Sequence, residues 1–420
     1  MTNYIPRSEG TSTLKIAGGQ ENISQTKMVR KWNNEQGFYE YELKEKVLYF
    51  PRGFGYGDGV FGQGKYKSTG EVFVDKKKNG KDRGWKERKL AADKLGHTYM
   101  RLGLIKRAER VFACASFLEY LNNPQTGEKK LVKAMFCHDP LCDICNWRRS
   151  DILRAQVLDV LDVATNEDRF NGLFDGKMEY MDLEFISLTL TIQNVFGGEE
   201  LKKAIKELHR GFSNMTKLKA FGVFVGYLRT TEVTRNNKKY SEWYGSYHPH
   251  IHVLLAVPKG LYFHGLDYLN KDKWIKMWQD VMGLDYAPSI DVQAVTAKRA
   301  GQTYQAAVVE TAKYAVKSAD YLHKDEKVTD TVVGDFLEGM KGVRRVGWGG
   351  LFKKIKKELK LQDIESKKAD LVGADGEDGN VHDGWERIYV AWVRGQDPNY
   401  YKVVKDVDQC DDKVHWWQRE

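Results

Sequence analysis

The segment that decides the fold is Tyr247-His248-Pro249-His250-Ile251-His252-Val253-Leu254-Leu255-Ala256-Val257. Its alternation, followed by an apolar run, predicts a buried β-strand. Side chains on a strand alternate between two faces, so His248, His250 and His252 lie on one face. Three imidazoles on one side of a buried strand are unfavourable unless they bind something, whereas a single histidine there would be an ordinary core residue. The segment therefore predicts a metal site on this strand.

The composition is that of a chain of 420 residues, long enough for two or three domains, with a formal net charge of +9. The excess of positive charge favours an anionic partner such as nucleic acid or a membrane surface. The N-terminus lacks the apolar core of a signal peptide, and no apolar run approaches the length of a membrane span. These features predict a soluble, cytoplasmic protein that does not enter a membrane.

The cysteines indicate a second metal site. An odd number, five, argues against a disulfide framework in so long a chain. Four of them lie in one region with the spacing C-x22-C-x4-C-x2-C, namely Cys114, Cys137, Cys142 and Cys145. This pattern fits a tetrahedral zinc site that holds a small domain together, with His138 as a substitute for one ligand. The alternative is a set of unrelated buried thiols, and Cys410 is interpreted as an ordinary thiol.

Two arginines, Arg148 and Arg149, follow this cysteine knuckle at the start of a predicted helix. Guanidinium groups in that place suit DNA backbone phosphates. They suit pairing within the protein equally well, and the sequence does not separate the two interpretations.

The periodicity around the histidine strand gives the fold class. Strands are predicted at 185–192, 222–234, 247–257 and 289–295, and helices at 199–220, 272–282 and 303–323. The order β-α-β-β-α-β-α is that of the ferredoxin-like, split βαβ arrangement within the α+β class. It predicts a four-stranded antiparallel sheet with helices on one face. The first and third strands are the central pair, so the histidines are expected in the middle of the sheet.

Glu232, on the preceding predicted strand, is a candidate third ligand beside His250 and His252. Two imidazoles and a carboxylate suit a divalent ion of the Mn²⁺ or Mg²⁺ kind that acts on phosphates. His248 is the alternative third ligand. Glu232 is preferred because a hard oxygen ligand fits such an ion better.

The predicted helix after the last strand contains Glu310, Tyr314 and Lys317. Glu310 and Tyr314 are four residues apart and share a helix face, and Lys317 lies one turn further. A cation near Tyr314 would favour its phenolate, which is a nucleophile, and a carboxylate one turn away can serve as a general base for water. The E-x3-Y-x2-K pattern is weak by itself and gains meaning from the histidine strand.

These motifs together resemble a known family. His250-Ile251-His252 is similar to the His-hydrophobe-His motif of the HUH endonucleases, and the chain more narrowly resembles the rolling-circle replication initiators of small Gram-positive plasmids, the pC194/pUB110-like Rep family. The matching segments span about residues 75–355: Cys137 to Arg149, Leu188 to Thr191, Thr231 to Thr234, His248 to Leu255, Glu310 to Lys317 and Gly349 to Phe352. The histidines precede the tyrosine, as in Rep-class members.

The resemblance implies a metal-dependent DNA nicking and joining endonuclease. Tyr314 would form a 5′-phosphotyrosyl link and leave a 3′-OH primer, Glu310 would activate water for termination, and Lys317 would steady the phosphate or the phenolate. The implied cofactors are Mn²⁺ or Mg²⁺ in the active site and a structural Zn²⁺. The implied partners are plasmid origin DNA, single-stranded at the nick with hairpin or duplex flanks, and the host helicase and DNA polymerase. A homodimer or higher oligomer on DNA is compatible with this interpretation.

The predicted organisation has four parts. Residues 1–84 form a loosely structured arm, 85–165 a basic zinc-binding domain, 180–330 an HUH endonuclease domain (the palm), and 331–420 a C-terminal extension. The extension combines an acidic linker with a small aromatic terminal segment at 385–417, expected to form a hairpin.

Two other functions are compatible with part of the pattern. One is a different HUH nuclease, a transposase or a mobilisation relaxase. The other is a non-catalytic zinc DNA-binding regulator, which leaves the histidine strand unexplained.

Overall fold

The structure is a computed structural model, and it describes residues 28–33, 38–43, 60–61, 64–77, 79–262, 268–295, 318–373, 384–393 and 400–406. For residues 28–33, 38–43, 60–61, 64–70, 393 and 404–406 it describes the backbone alone. The chain divides into two units, Met1–Tyr49 and Phe50–Glu420. The first unit contains an antiparallel pair of strands, β1 (Met28–Asn33) and β2 (Phe38–Leu43).

The second unit contains the remaining described elements. Its strands are β3 (Val60–Phe61), β4 (Gly64–Val72), β5 (Phe117–Asn122), β6 (Lys129–Ala134), β7 (Leu183–Thr191), β8 (Gly226–Arg235), β9 (Tyr247–Pro258), β10 (Ile290–Val295), β11 (Val346–Gly349), β12 (Glu386–Val393) and β13 (Tyr400–Asp406). Its helices are α1 (Trp85–Arg101), α2 (Ile105–Ala113), α3 (Asp143–Thr165), α4 (Glu167–Phe174), α5 (Gly198–Met215), α6 (Lys271–Met282), α7 (Ser318–Tyr321), α8 (Glu326–Gly339) and α9 (Gly350–Glu358), with a short 3-10 helix at Lys219–Phe221.

The histidine segment forms β9, the middle strand of a five-stranded antiparallel sheet with the order β10-β7-β9-β8-β11. The four predicted strands therefore lie in the order fourth, first, third, second, which is the order of a split βαβ arrangement. The predicted α+β class with a central antiparallel sheet flanked by helices is confirmed. The fifth strand, β11, pairs with the outer edge of β8 and was not predicted.

β9 is buried on both faces along its apolar half, which explains its continuous apolar sequence. Ile251, Val253, Leu255 and Val257 share a buried cluster with side chains of α5 and α6. Leu254 and Ala256 belong to a second cluster that includes α9. The prediction of helices on one face is wrong, because α9 packs against the other face and brings the Phe352 and Phe185 ring centroids within 6.3 Å.

A glycine at the start of α9 permits this close approach. Gly350 has a φ of 54°, and a Cβ atom there would lie 2.1 Å from the Val225 carbonyl oxygen. The Leu351 amide donates to the same oxygen at 2.8 Å. A side chain at Gly350 would therefore separate the helix from the strand, because both the φ value and the contact exclude one.

The second sheet has six strands in the order β3-β4-β13-β12-β5-β6. The predicted aromatic hairpin is present as β12 and β13, but it lies in the middle of this sheet, between β4 and β5. Trp392 donates from its indole to Asp93 Oδ2 at 2.9 Å, and Tyr401 donates from its hydroxyl to the Ala115 carbonyl at 2.6 Å. The hairpin is thus part of the same core as α1 and the cysteine region.

No helix among the described residues is both long enough and apolar enough to cross a membrane.

Candidate functional site

The centre of the five-stranded sheet holds a group of three buried donors. The register pairs Glu232 of β8 with His250 of β9, and Thr230 with His252, so the side chains of Glu232, His250 and His252 share one face. Glu232 Oε2 lies 3.1 Å from His252 Nε2 and 3.5 Å from His250 Nε2. All three residues are less than a tenth exposed.

The two imidazole rings are oriented by contacts of their Nδ1 atoms with neighbouring groups. His250 Nδ1 lies 3.1 Å from the His248 carbonyl oxygen, and because a carbonyl only accepts, this nitrogen carries the proton. His252 Nδ1 lies 3.1 Å from the Thr189 hydroxyl on β7. The Nε2 lone pair of His250 therefore faces the Glu232 carboxylate, and two acceptors in contact require a cation or proton between them. The donor set fits a divalent metal.

His248 is the alternative third ligand, and the structure favours Glu232 over it. The His248 ring lies beside that of His250, with centroids 5.2 Å apart. The donor atoms of Glu232, His250 and His252 lie within 4.8 Å of one another, and His248 is not part of this group. Burial and the neighbouring His250 lower the pKa of His248 to about 4, so its imidazole is neutral near pH 7.

The four cysteines of the knuckle region converge to a second buried group. Cys114, Cys137, Cys142 and Cys145 place their Sγ atoms within 4.8 Å of one another. Three of the Sγ pairs are 3.6 Å apart. A tetrahedral zinc with bonds of about 2.3 Å has sulfur atoms about 3.8 Å apart, so the spacing fits that ion. Without a cation, burial raises the pKa of Cys114 and Cys137 well above the ordinary value.

The cysteine loop is held by hydrogen bonds and ion pairs to neighbouring elements. Asp139 accepts from the Tyr99 hydroxyl at 2.8 Å and forms an ion pair with Arg107 at 2.8 Å. The Cys137 amide donates to Cys114 Sγ at 3.5 Å. His138 contributes no atom to the cysteine group, so all four positions around its centre are supplied by sulfur.

Arg148 and Arg149 are buried, and the structure favours pairing within the protein over contact with DNA. Arg148 donates to the carbonyl oxygens of Leu371 and Val372, and its guanidinium lies against the rings of Trp85 and Trp147. Arg149 donates to the His138 carbonyl at 2.9 Å. A phosphate cannot reach either group in this structure, since both side chains are at most 3 % exposed.

The cysteine loop also contacts α7, the first described element after residues 296–317. The Tyr321 hydroxyl donates to the Leu141 carbonyl, and Tyr321 is fully buried. Burial raises the pKa of Asp143, whereas Arg88 and hydrogen bonds with Ser318 lower it. The cysteine group and the residues that follow the predicted tyrosine segment are therefore in direct contact.

The predicted catalytic residues Glu310, Tyr314 and Lys317 lie outside the described residues, as does Cys410. Their predicted roles stay predictions. The predicted helix at 303–323 is described only at its end, where Ser318–Tyr321 is helical.

Three supporting residues, Thr189, Asp139 and Tyr321, are not among the site residues predicted from the sequence. Thr189 was recognisable from the alternation of Leu188-Thr189-Leu190-Thr191, which places its hydroxyl on the histidine face once β7 pairs with β9. The other two have no local signal, because each acts through a contact that is distant along the chain.

Comparison with known proteins gives a consistent result. A family described as replication protein matches residues 128–401. A protein named Protein rep from Lactiplantibacillus plantarum is 38 % identical over 312 residues, covering 73 % of this chain and 91 % of that protein. Proteins of the same name are similar in Lentilactobacillus hilgardii, with 34 % identity over 77 % of this chain and 96 % of the relative, and in Streptococcus pneumoniae serotype 2 (strain D39 / NCTC 7466), with 35 % identity over 78 % and 95 %. No solved structure matches.

The matched residues include the five-stranded sheet with its three buried donors and three of the four converging cysteines. The match extends over more than half of the chain, and the relatives are covered almost completely. The chain belongs to the Rep family of replication proteins.

Proposed function

We propose that the protein initiates rolling-circle replication of a plasmid by nicking one strand of the origin DNA. The observation that carries this proposal is the donor set of Glu232, His250 and His252 in the middle of a split βαβ sheet. In a replication protein, a divalent-ion site of this composition suits chemistry on a phosphodiester. The five-stranded sheet would be the palm of an HUH endonuclease.

The chemistry is a transesterification. A Mn²⁺ or Mg²⁺ ion held by His250, His252 and Glu232 would polarise the scissile phosphate. The Tyr314 phenolate oxygen attacks the phosphorus, the bond to the 3′ oxygen breaks, and that oxygen takes up a proton to become a 3′-OH. Tyr314 then holds the 5′ end as a phosphotyrosyl ester, and Lys317 stabilises the phenolate beforehand. The host DNA polymerase would extend the new 3′-OH, and the host helicase would separate the strands ahead of it.

Termination requires a nucleophile other than a second tyrosine. Glu310, one helical turn before Tyr314 if this segment is helical, accepts a proton from water, and the water oxygen attacks the phosphorus of the regenerated nick site. The bond from that phosphorus to the 3′ oxygen breaks, and this oxygen takes up a proton, which leaves a 3′-OH and a 5′-phosphate. This hydrolysis leaves no second covalent link, which allows the protein to stop after one round.

The four cysteines would hold a structural zinc ion. Four sulfur donors complete a tetrahedron and leave no open position for a substrate, which is the arrangement of structural rather than catalytic sites. The ion would fix the loop that contacts α7. The transposase, relaxase and regulator alternatives are less well supported, because the relatives found over most of the chain are replication proteins.

Replacement of Cys142 by Ser tests the zinc site. The native protein should contain about one zinc per chain by plasma mass spectrometry, and the variant should lose it because three sulfur ligands bind more weakly than four. Cys410→Ser is the matched control and should retain the metal. If the variant does not fold, release of zinc from native protein by a thiol reagent gives the same stoichiometry. Native protein without zinc would refute the assignment.

Replacement of Glu232 by Gln tests the active-site metal, because it retains the shape of the side chain and removes its charge. Mn²⁺ affinity, measured by calorimetry, should fall by at least about 10- to 100-fold, since even residues that only support a metal ligand have effects of that size. His248→Ala should bind Mn²⁺ almost as the native protein does. The reverse pattern would make His248 the third ligand.

Tyr314→Phe should abolish covalent attachment to a single-stranded oligonucleotide that carries the nick site, because the variant has no phenolic oxygen to attack phosphorus. The adduct is measured on denaturing gels in the presence of Mn²⁺. Tyr304→Phe is the control and should form the adduct normally. An undiminished adduct in the Tyr314 variant would exclude this residue as the nucleophile.

Glu310→Gln should form the phosphotyrosyl adduct but release DNA by hydrolysis about 100-fold more slowly or worse, because the general base is lost. The hydrolysis rate is measured on an oligonucleotide with two successive nick sites, by quenching samples over time and quantifying the product cleaved at the second site. Normal hydrolysis at the second site would show that another group activates the water.

A further inference from the structure

An exposed aromatic cluster lies beside the candidate metal site. Phe196, Trp243 and Tyr244 form this cluster, which we call the aromatic platform. The Phe196 and Trp243 rings are stacked, with centroids 6.0 Å apart and planes 17° apart. Phe196 is 52 % exposed and Tyr244 is 47 % exposed. Grouped aromatic side chains that stay in water mark an interaction site.

The platform extends from those ends of the central strands that are nearest to the metal donors. β7 and β8 end there, at Thr191 and Arg235, and β9 begins there at Tyr247. Phe196 lies in the loop after β7, and Trp243 and Tyr244 lie in the loop between β8 and β9. His250 is three residues into β9, about 10 Å along the strand from its first residue.

The two loops are fixed to each other and to the sheet. Val195 and Tyr247 exchange backbone hydrogen bonds of 2.9 and 2.8 Å, and Asn194 donates from its side chain to Ser246 Oγ at 2.7 Å. The Ser246 hydroxyl donates to the Trp243 carbonyl at 2.6 Å. Because these contacts order the platform in advance, a ligand would lose less conformational entropy on binding.

The charges in the β8–β9 loop of the platform are mostly positive, whereas Glu199 and Glu200 follow Phe196 in the first turn of α5. Lys238 and Lys239 are exposed on the same loop as Trp243. The Arg235 guanidinium lies 5.9 Å from the Tyr244 ring centroid. Glu242 is the one acidic residue between Arg235 and Tyr247, and it accepts a hydrogen bond from the Trp243 indole at 2.9 Å.

Aromatic faces combined with cations suit one class of ligand. Single-stranded nucleic acid places bases on aromatic rings and phosphates on lysine and arginine, and this recognition does not depend on base identity. Duplex DNA cannot use such a surface, because its bases are already stacked on one another.

We propose that Phe196, Trp243 and Tyr244 stack with bases of the single-stranded DNA that flanks the phosphate at Glu232, His250 and His252. Lys238 and Lys239 contact the backbone of the same strand. The proposal rests on the proposed function for the position of that phosphate. It assigns to the platform the task of holding the unpaired strand beside the metal site.

The test measures binding without catalysis. The double variant Phe196→Ala/Trp243→Ala is titrated without added Mn²⁺ or Mg²⁺, and without a chelator that would remove zinc, against a fluorescent single-stranded oligothymidylate and against a duplex of the same length. Affinity for the single strand should fall at least about 5-fold, because one base stacked on an aromatic side chain contributes that much. Affinity for the duplex should not change. Tyr268→Ala, which removes an aromatic side chain 43 % exposed in the loop before α6, is the matched control and should bind as the native protein does.

A second arm separates stacking from charge. Native protein should bind an abasic single strand more weakly than an intact one, and the double variant should distinguish the two strands less, because only Tyr244 of the platform remains to stack with a base. Trp243→Phe in the native background should retain most of the affinity. Unchanged affinity of the double variant, or an equal loss on the single strand, the duplex and the abasic strand, would overturn the proposal.

The outcome is distinguishable from failure of the proposed function. If the native protein forms the Tyr314 adduct but the platform variant binds normally, the platform assignment alone is wrong. If the stacking pattern is observed but native protein forms no adduct, the nicking function alone is wrong.

Discussion

The arrangement of the candidate site depends on the register between β8 and β9. Glu232 is opposite His250 in that register, and both side chains lie on the face that also carries His252. A shift of one residue would turn Glu232 toward α5 and α6 and would leave two buried imidazoles without their carboxylate. The apolar part of β8 opposes this shift, because the shift would also move Leu228 out of the buried cluster that it shares with Leu254 of β9. Packing of the apolar half therefore fixes the geometry of the polar half.

The sequence alone predicted those features that depend on local patterns along the chain. The alternation of side chains along a strand placed the histidines on one face. The order of successive strands and helices predicted the middle position of β9 in the sheet. The cysteine spacing predicted a cluster for a similar reason, since three of the four sulfurs come from one loop.

Other features depend on contacts that local patterns do not encode. The burial of Arg148 follows from the carbonyl oxygens of Leu371 and Val372, more than 200 positions away. β11 has only four residues, which is too short for a recognisable alternation. α9 covers the second face of the sheet because Gly350 permits its approach to Val225. Lys106 and Arg110, which precede the first cysteine, are exposed, yet the two arginines that follow the last cysteine are interior residues. The sequence alone does not distinguish buried from exposed cationic side chains well, because the groups that they contact are brought together only by the complete fold.

The position of β12 and β13 in the middle of the six-stranded sheet has a consequence for synthesis. Roughly 280 residues separate the end of β5 from the end of β13, and the ribosome needs roughly 15 to 60 s to add them. During that interval β4 and β5 lack the strands that lie between them, and their unpaired edges are open to association with other nascent chains. If the four cysteines bind zinc as proposed, early closure of their loop around the ion would keep β5 and β6 in place until the last hairpin arrives. The supply of zinc during translation would then govern the yield of correctly folded protein.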